Sequence, residues 1–284
     1  MKPLQNLIVA LDMSACDKCL FRFAGYFADM LKLRRVYFLH VIPESFGHQA
    51  PGMINPQVLS PVASPVGMVR EKIHKAIKRH FKTAYRPEII VEVKEGDPLR
   101  AVIEKTEELE ADLLLLGKKR CQAGSGVTAR MMARRVMSSV FFFPEHSRPE
   151  FRHILVPVDF SEPSFSALQL ACSVWGGQPD IKVSWIHVAD PAFDQQQDWP
   201  DKLRGVFDRM CTQKKVKTDR FNPAIVFNNQ RNVAAHILEW AVKNKADLII
   251  MGAKGHADAH ELQLGSVAEK LVTLAEDIPV LIVR

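Results

Sequence analysis

The residues of this 284-residue sequence best suited to chemistry are three glycines and a serine in its second half. Gly252 and Gly255 are separated by two residues, and Gly265 with Ser266 follows after nine more. Glycine allows tight turns, which can bring backbone N–H groups close to an anion. Because Gly265 and Ser266 precede a segment with helical periodicity, the N–H groups and dipole of a helix N-terminus would favour phosphate there. This spacing therefore predicts a phosphate-binding loop.

Strands and helices must position this loop, and the sequence alternates between them. Continuous apolar runs of four to six residues, rich in Val, Ile and Leu, predict strands that are buried on both faces. Segments with helical periodicity separate these runs, which predicts right-handed crossovers and a parallel sheet with helices on both faces. In such sheets ligands bind beyond the carboxyl ends of the strands, which is where Asp159 and Gly252 fall. The predicted helices span residues 15–33, 69–84, 98–110, 127–137, 163–175, 198–215, 233–244 and 266–275.

The sequence also repeats itself. Four features recur in the same order at offsets of about 135 to 147 residues. They are an Asp-x-Ser after an apolar run (Asp12 and Asp159), a His-Val pair (His40 and His187), an apolar run ending in glycine (Gly117 and Gly252) and a closing apolar run (140–143 and 280–283). Four ordered matches predict a duplicated domain, so we expect two tandem doubly wound, five-stranded, Rossmann-like α/β domains. Their predicted bounds are 1–147 and 148–284, and a polar, proline-bearing stretch joins them.

The repeated motifs resemble those of the universal stress protein family. The spacing Gly-x2-Gly-x9-Gly-Ser resembles the family's ATP-binding signature, and residues 159–162, 186–188, 246–252 and 278–283 look like family consensus segments. The resemblance extends over nearly the whole chain and is that of a tandem member. It implies a protein of stress response or regulation that binds ATP or another adenine nucleotide, often with a divalent metal such as Mg²⁺ or Mn²⁺ at the phosphates. It does not imply a strong catalytic centre, so no catalytic residue or protein metal ligand is assigned.

The resemblance also implies roles for nine residues of the second half. Three of them would line the adenine and ribose, one would offer its backbone to the adenine edge, and the other five would hold the phosphates. In that order they are Pro157, Val158 and Asp159; Val188; and Gly252, Gly255, Gly265, Ser266 and Val267.

The first half departs from this pattern. Lys118, Lys119 and Arg120 follow Gly117, so arginine replaces the second glycine, and no Gly-Ser follows at the family spacing. Arginine at a position that requires a positive φ would be strained. We therefore expect the first half to keep the fold and to have lost the nucleotide site, with Asp12 remaining as a helix cap. The three cations could still attract an anion.

Composition and charge narrow the remaining possibilities. Residues 1–147 hold 22 Lys and Arg against 15 Asp and Glu, whereas residues 148–284 hold 16 against 17. A basic half could attract nucleic acid or an acidic partner, but its charges lack aromatic interleaving, which disfavours nucleic acid.

No apolar run approaches the roughly 20 residues of a membrane span, and no secretory signal is apparent, which favours the cytoplasm. The odd count of five cysteines favours reduced thiols.

Two local motifs suggest rival chemistry. Cys16 and Cys19 lie near the start of the first predicted helix, where a thiol pKa can be lowered, which raises a redox alternative. The pair lacks the usual flanking residues of a redox motif, so core and boundary positions are favoured. His256 and His260 would share one face of a helix and could bind metal, although a polar loop over the phosphates is the favoured interpretation.

Three functions stay open at this level. The first is a nucleotide-binding stress or regulatory protein, and the second is a slow ATPase, for which Lys254 is the one cation inside the motif. The third is a scaffold whose basic first half binds a protein or an acidic ligand.

The last apolar run of each half is too apolar to remain an unpaired edge strand, so the two halves are predicted to pair as a pseudo-dimer, with a homodimer as a further option.

Overall fold

The computed structural model describes residues 4–43, 64–119, 127–189, 199–213, 221–227, 232–255 and 264–284. Strands and helices alternate along the chain, and every strand pairing described within a unit is parallel. The chain divides into two compact units, Lys2–Pro149 and Glu150–Arg284, which we call the N unit and the C unit. None of the helices described is long and apolar enough to cross a membrane.

The N unit is a doubly wound α/β domain whose sheet has the strand order β3-β2-β1-β4-β5. Its strands are β1 (Asn6–Leu11), β2 (Arg35–Ile42), β3 (Glu88–Glu95), β4 (Leu113–Lys118) and β5 (Ser139–Pro144). Its helices are α1 (Cys16–Leu31), α2 (Pro65–His80), α3 (Pro98–Glu108) and α4 (Val127–Arg135).

The C unit repeats this arrangement with the strand order β8-β7-β6-β9-β10. Its strands are β6 (His153–Pro157), β7 (Lys182–Ala189), β8 (Phe221–Phe227), β9 (Leu248–Gly252) and β10 (Val280–Val283). Its helices are α5 (Glu162–Trp175), α6 (Trp199–Gln213), α7 (Val233–Lys243) and α8 (Ser266–Leu274). The predicted fold class is therefore confirmed. In each unit the strand order reverses beside the first strand, which is the position where such sheets form a ligand crevice.

All eight predicted helices are present, and their ends differ from the prediction by at most four residues. The largest difference is in α2, which begins at Pro65 rather than at residue 69. Ser64 explains the earlier start, because its side chain accepts a hydrogen bond from Gly67 N at 3.1 Å and proline occupies the first turn. Ser161 caps α5 in the same way, with Pro163 in the first turn.

The duplication extends to individual hydrogen bonds. His40 Nδ1 lies 2.8 Å from Leu11 O in the N unit, and His187 Nδ1 lies 2.8 Å from Val158 O in the C unit. Each ring thus ties the second strand of its sheet to the end of the first. Burial lowers the pKa of His187, so this ring favours the neutral form. These contacts give both histidines a structural role in the sheet.

The turn after the first strand is also shared. Met13 and Phe160 occupy equivalent positions and both adopt left-handed backbone conformations, with φ of 61° and 64°. Asp112 and Asp247 are likewise equivalent, and each carboxylate accepts hydrogen bonds from the first strand residue and from the residue before it. Because backbone contacts recur at matching offsets, a residue of one unit can be compared with its counterpart in the other.

The C unit's core fixes the strand that carries part of the site. Trp185 of β7 stacks on Phe207 of α6, with ring centroids 4.0 Å apart, and Phe165 of α5 lies 6.1 Å from the same ring. All three side chains are buried. Aromatic pairs at such distances contribute roughly 0.5–1.5 kcal/mol beyond their burial. This cluster holds β7 against the two helices.

Candidate functional site

A cavity of about 290 Å³ lies at the carboxyl ends of β6, β7 and β9 and at the start of α8. Its wall comes from segments up to about 110 residues apart in sequence, brought to one edge of the sheet by the parallel topology. All nine residues to which the resemblance gives a role line it: Pro157, Val158, Asp159, Val188, Gly252, Gly255, Gly265, Ser266 and Val267.

The wall also contains residues that the sequence did not single out. Val233 and Ile237 of α7 join Ile186, Val188 and Met251 in its apolar part. Val233 and Ile237 are four positions apart and therefore share one helix face, which was the available signal. Their approach to β7 and β9 depends on tertiary packing, so the sequence alone did not place them in the wall.

Gly252 is required by packing. A Cβ at this position would lie 2.6 Å from Pro163 C and 2.7 Å from Pro163 O, at the start of α5. Its counterpart Gly117 has the same constraint, because a Cβ there would lie 2.8 Å from Cys16 Cβ. In both units, packing against the first helix therefore explains why the first position of the motif is glycine.

Gly255 and Gly265 let neighbouring atoms of the C unit's loop pack closely against the backbone. A Cβ on Gly255 would collide with Asp159 Oδ2, and a Cβ on Gly265 would lie 3.2 Å from Ala253 O. Neither glycine has a left-handed φ, so the prediction that a positive φ excludes a side chain at the second glycine is wrong. The carboxylate of Asp159 fills the space that a side chain would need. Arg120, the N unit's residue at this position, lies outside the described residues, as does the loop 124–126.

The start of α8 supplies hydrogen-bond donors to the cavity. Gly265 is the N-cap and donates its N–H to Ala253 O at 2.8 Å, while no described side chain caps the helix. Ser266, Val267 and Ala268 form the first turn and line the cavity. First-turn N–H groups have no intrahelical acceptor, and the helix dipole adds a partial positive charge. This end of the cavity therefore suits an anion.

Asp159 is held in place by the turn that follows β6. Its Oδ1 accepts hydrogen bonds from the backbone N–H of Ser161, at 3.0 Å, and from the Ser161 hydroxyl. The residue before it donates Val158 N–H to Ile186 O at 2.8 Å. These bonds fix one carboxylate oxygen, and Oδ2 lies beside Gly255.

The same turn of the N unit has different chemistry. Lys119 Nζ lies 2.8 Å from Asp12 Oδ2. Burial opposes ionisation of Asp12, but the hydrogen bonds from Lys119 and Ser14 and the charge of Lys119 together outweigh burial and lower the pKa of this carboxyl. Asp12 also accepts from Ser14 N at 3.0 Å, whereas α1 has its N-cap at Ala15 with no side-chain cap. The prediction that Asp12 caps the helix is therefore wrong, because its carboxylate is bound to Lys119 and to the turn.

The two cysteines of α1 do not have the properties of a redox pair. Both are free and buried. Burial raises the pKa of Cys16 and raises that of Cys19 to about 12, whereas reactive thiols have a lowered pKa. Cys19 Sγ lies 3.5 Å from Ser147 O, as expected of a structural thiol.

The histidines proposed as an alternative metal site, His256 and His260, lie outside the described residues. Among the described residues, no group of three or more His, Cys, Asp or Glu side chains is placed to hold a metal ion.

The fold and the site together define a class: tandem α/β proteins with two Rossmann-like units, here with a cavity at the carboxyl edge of the C unit's sheet. The family model of the Universal stress protein family matches residues 3–140 and 150–284. The chain belongs to the universal stress protein family as a tandem member, which confirms the resemblance drawn from its motifs.

Relatives of known sequence or structure agree with this assignment. A universal stress protein of Methanocaldococcus jannaschii is 30% identical over 142 residues, which cover 47% of this chain and 82% of that protein. The crystal structure of a universal stress protein from Archaeoglobus fulgidus has a TM-score of 0.72 at 16% identity, covering 100% of this chain and 99% of that one. A functionally unknown protein from Pseudomonas aeruginosa has a TM-score of 0.68 at 11% identity, covering 99% and 92%. Structural matches at such identities show the fold alone.

Proposed function

We propose that the C unit binds an adenine nucleotide, ATP, and that the protein acts in stress response or regulation with one nucleotide site per chain. The observation that supports this proposal most is that residues distant in sequence meet at one cavity. Nine residues chosen from three separate sequence segments line a single cavity. The motif alone could be explained by strand-to-helix packing, as Gly252 illustrates, but packing does not require the other segments to meet it.

The chemistry of the wall fits such a ligand. Its apolar part, with Val188, Val233 and Ile237, offers surface for a flat base, and its polar part offers first-turn N–H groups and Lys254 to phosphates. Glycine at positions 255 and 265 lets the loop pack closely against Asp159 and Ala253 at the edge of the cavity. Asp159 is the carboxylate of the described wall, so a divalent ion would depend chiefly on the nucleotide's own phosphates.

Replacing Gly265 with valine tests the proposal. The new side chain would press on Ala253 O and Lys254 Cα, 3.2 and 3.4 Å from its Cβ, and displace the loop from the start of α8. We expect calorimetry with ATP to give at least a tenfold weaker affinity for Gly265→Val. Gly177→Val is the matched control, because a Cβ at Gly177 meets nothing within 4 Å, and its affinity should equal that of the wild type. Unchanged affinity in Gly265→Val would refute the assignment of the loop.

Hydrolysis is the alternative use of the same site. A phosphate-release assay on the ATP-bound protein separates a binding protein from a slow ATPase. A scaffold that needs no nucleotide would show no heat with ATP at millimolar concentration, which would also refute the proposed function.

A further inference from the structure

Ser164 of the C unit and Asp17 of the N unit occupy equivalent positions. Each is the fifth residue after the aspartate that follows the first strand, and the offset of 147 residues is the one that relates His40 to His187. The two turns share the left-handed residue described above and the same strand-end hydrogen bonds. At this one position of the fold, the C unit therefore carries a hydroxyl and the N unit carries a carboxylate.

In the C unit this place is neutral and part of the cavity wall. Ser164 lines the cavity and is only 4% exposed. Its hydroxyl donates to Ser161 O at 2.9 Å, and its backbone N–H donates to Ser161 Oγ at 3.4 Å. The hydroxyl of Ser164 thus bonds to the N-cap residue of α5, and the side chain adds no charge to the cavity.

In the N unit the same place carries an acidic group. Asp17 is 7% exposed, and its carboxylate accepts from Met13 N at 2.8 Å and from Asp12 N at 3.3 Å. Burial and the neighbouring charge of Asp12 raise the pKa of Asp17 to about 7. Two carboxylates therefore share one turn, where the cation Lys119 is already paired with Asp12.

We infer that this position determines which unit accepts an anionic nucleotide: a serine there admits phosphate in the C unit, and an aspartate there repels it in the N unit. The inference rests on the proposed function of the C unit. Its physical basis is like-charge repulsion in a poorly hydrated site, where the interaction is much stronger than in water. A carboxylate at position 164 would oppose both Asp159 and the phosphates of the ligand.

The test places the N unit's residue in the C unit. Ser164→Asp should fold, since the N unit carries aspartate at the equivalent position, and circular dichroism with a thermal melt checks this. At pH 8 we expect Ser164→Asp to bind ATP at least tenfold more weakly than the wild type. Ser173→Asp adds the same charge to an exposed position of α5 and should bind like the wild type. Ser164→Asn adds similar volume without charge and should lose less affinity than Ser164→Asp.

A pH series separates charge from shape. The ratio of wild-type to Ser164→Asp affinity should fall by at least threefold from pH 8 to pH 6, as the buried carboxyl takes up a proton, while the ratio for Ser164→Asn stays constant. Asp159, Lys254 and His187 are the ionisable groups of the described wall, and all three are retained in Ser164→Asn, which therefore serves as the uncharged control across the pH series.

The outcomes are distinct. Equal losses in Ser164→Asp and Ser164→Asn, or wild-type affinity in Ser164→Asp, would overturn this inference while leaving ATP binding by the C unit intact. Failure of the wild-type protein to bind ATP would remove the proposed function and this inference together.

Discussion

Gly252 and Gly255 belong to one motif, but a side chain is excluded at the two positions for different physical reasons. The space around Gly252 is closed by the backbone of Pro163, whereas the space around Gly255 is closed by one oxygen of the Asp159 side chain. A backbone cannot move aside without shifting α5, but a carboxylate can rotate. The residues of a signature motif therefore divide into those that hold the fold and those that shape the site.

Alanine at each position distinguishes these reasons. We expect Gly252→Ala to lower the free energy of unfolding of the C unit by about 1–3 kcal/mol through overpacking. Gly255→Ala should leave stability nearly unchanged and weaken ATP binding at least threefold, because Asp159 must move. Denaturant titration and calorimetry measure the two effects, with Gly177→Ala as the control in open space. The same stability loss in both variants would contradict this division.

Asp17 should make stability depend on pH. Its folded-state pKa of about 7 lies above the 3.8 of an ordinary aspartate, so between these pH values the folded protein holds a proton that the unfolded chain has released. This group therefore lowers the free energy of unfolding as pH rises through that window, and the full penalty is present above about pH 7. From pH 5 to pH 8, the stability of Asp17→Asn relative to the wild type should rise by on the order of 2 kcal/mol.

Denaturant titrations across this pH range measure the effect. Asp29→Asn is the control on the same helix, because burial raises the pKa of Asp29 but hydrogen bonds, among them those from Thr83 and Tyr85, together outweigh burial and lower it. Its relative stability should be constant from pH 5 to pH 8. A constant difference for Asp17→Asn as well would show that its carboxyl titrates normally.

At the scale of the elements, local sequence patterns predicted most of the strands and helices. The contacts between these elements could not be predicted from such patterns. Apolar runs and helical periodicity identified every helix described, because each element buries one face or both. The start of α2 was misplaced because its cap, Ser64, precedes the periodic segment. The motif predicted the glycines of the site, but the contribution of α7 to the wall could not be predicted, since it depends on packing between distant segments.

That contribution of α7 gives a prediction of its own. Val233 lines the cavity at the start of the helix, whereas Val242 is 63% exposed near its end. We expect Val233→Ala to weaken ATP binding about two- to tenfold, because it removes apolar surface that would contact the base. Val242→Ala makes the same change on the same helix and should bind ATP as the wild type does. Calorimetry on the pair measures this, and equal affinities would exclude α7 from the ligand contact.

At the scale of the whole molecule, duplication has produced two units with one fold and different turn chemistry. The C unit has a cavity lined by a glycine loop and a helix N-terminus, while the N unit has an ion pair between Lys119 and Asp12 at the matching turn. The family match covers both units, so family membership does not distinguish them. The distinction depends on individual positions, among them Ser164 with its counterpart Asp17, and Gly255 with its sequence counterpart Arg120.

Native mass spectrometry of the full chain with ATP tests the central claim most directly. We predict one ATP per chain at saturation of the wild type and, at an ATP concentration that half-fills the wild type, little bound nucleotide in Gly265→Val. Absence of any bound nucleotide in the wild type, two nucleotides per chain at saturation, or equal occupancy of Gly265→Val and the wild type at the half-filling concentration would contradict the claim.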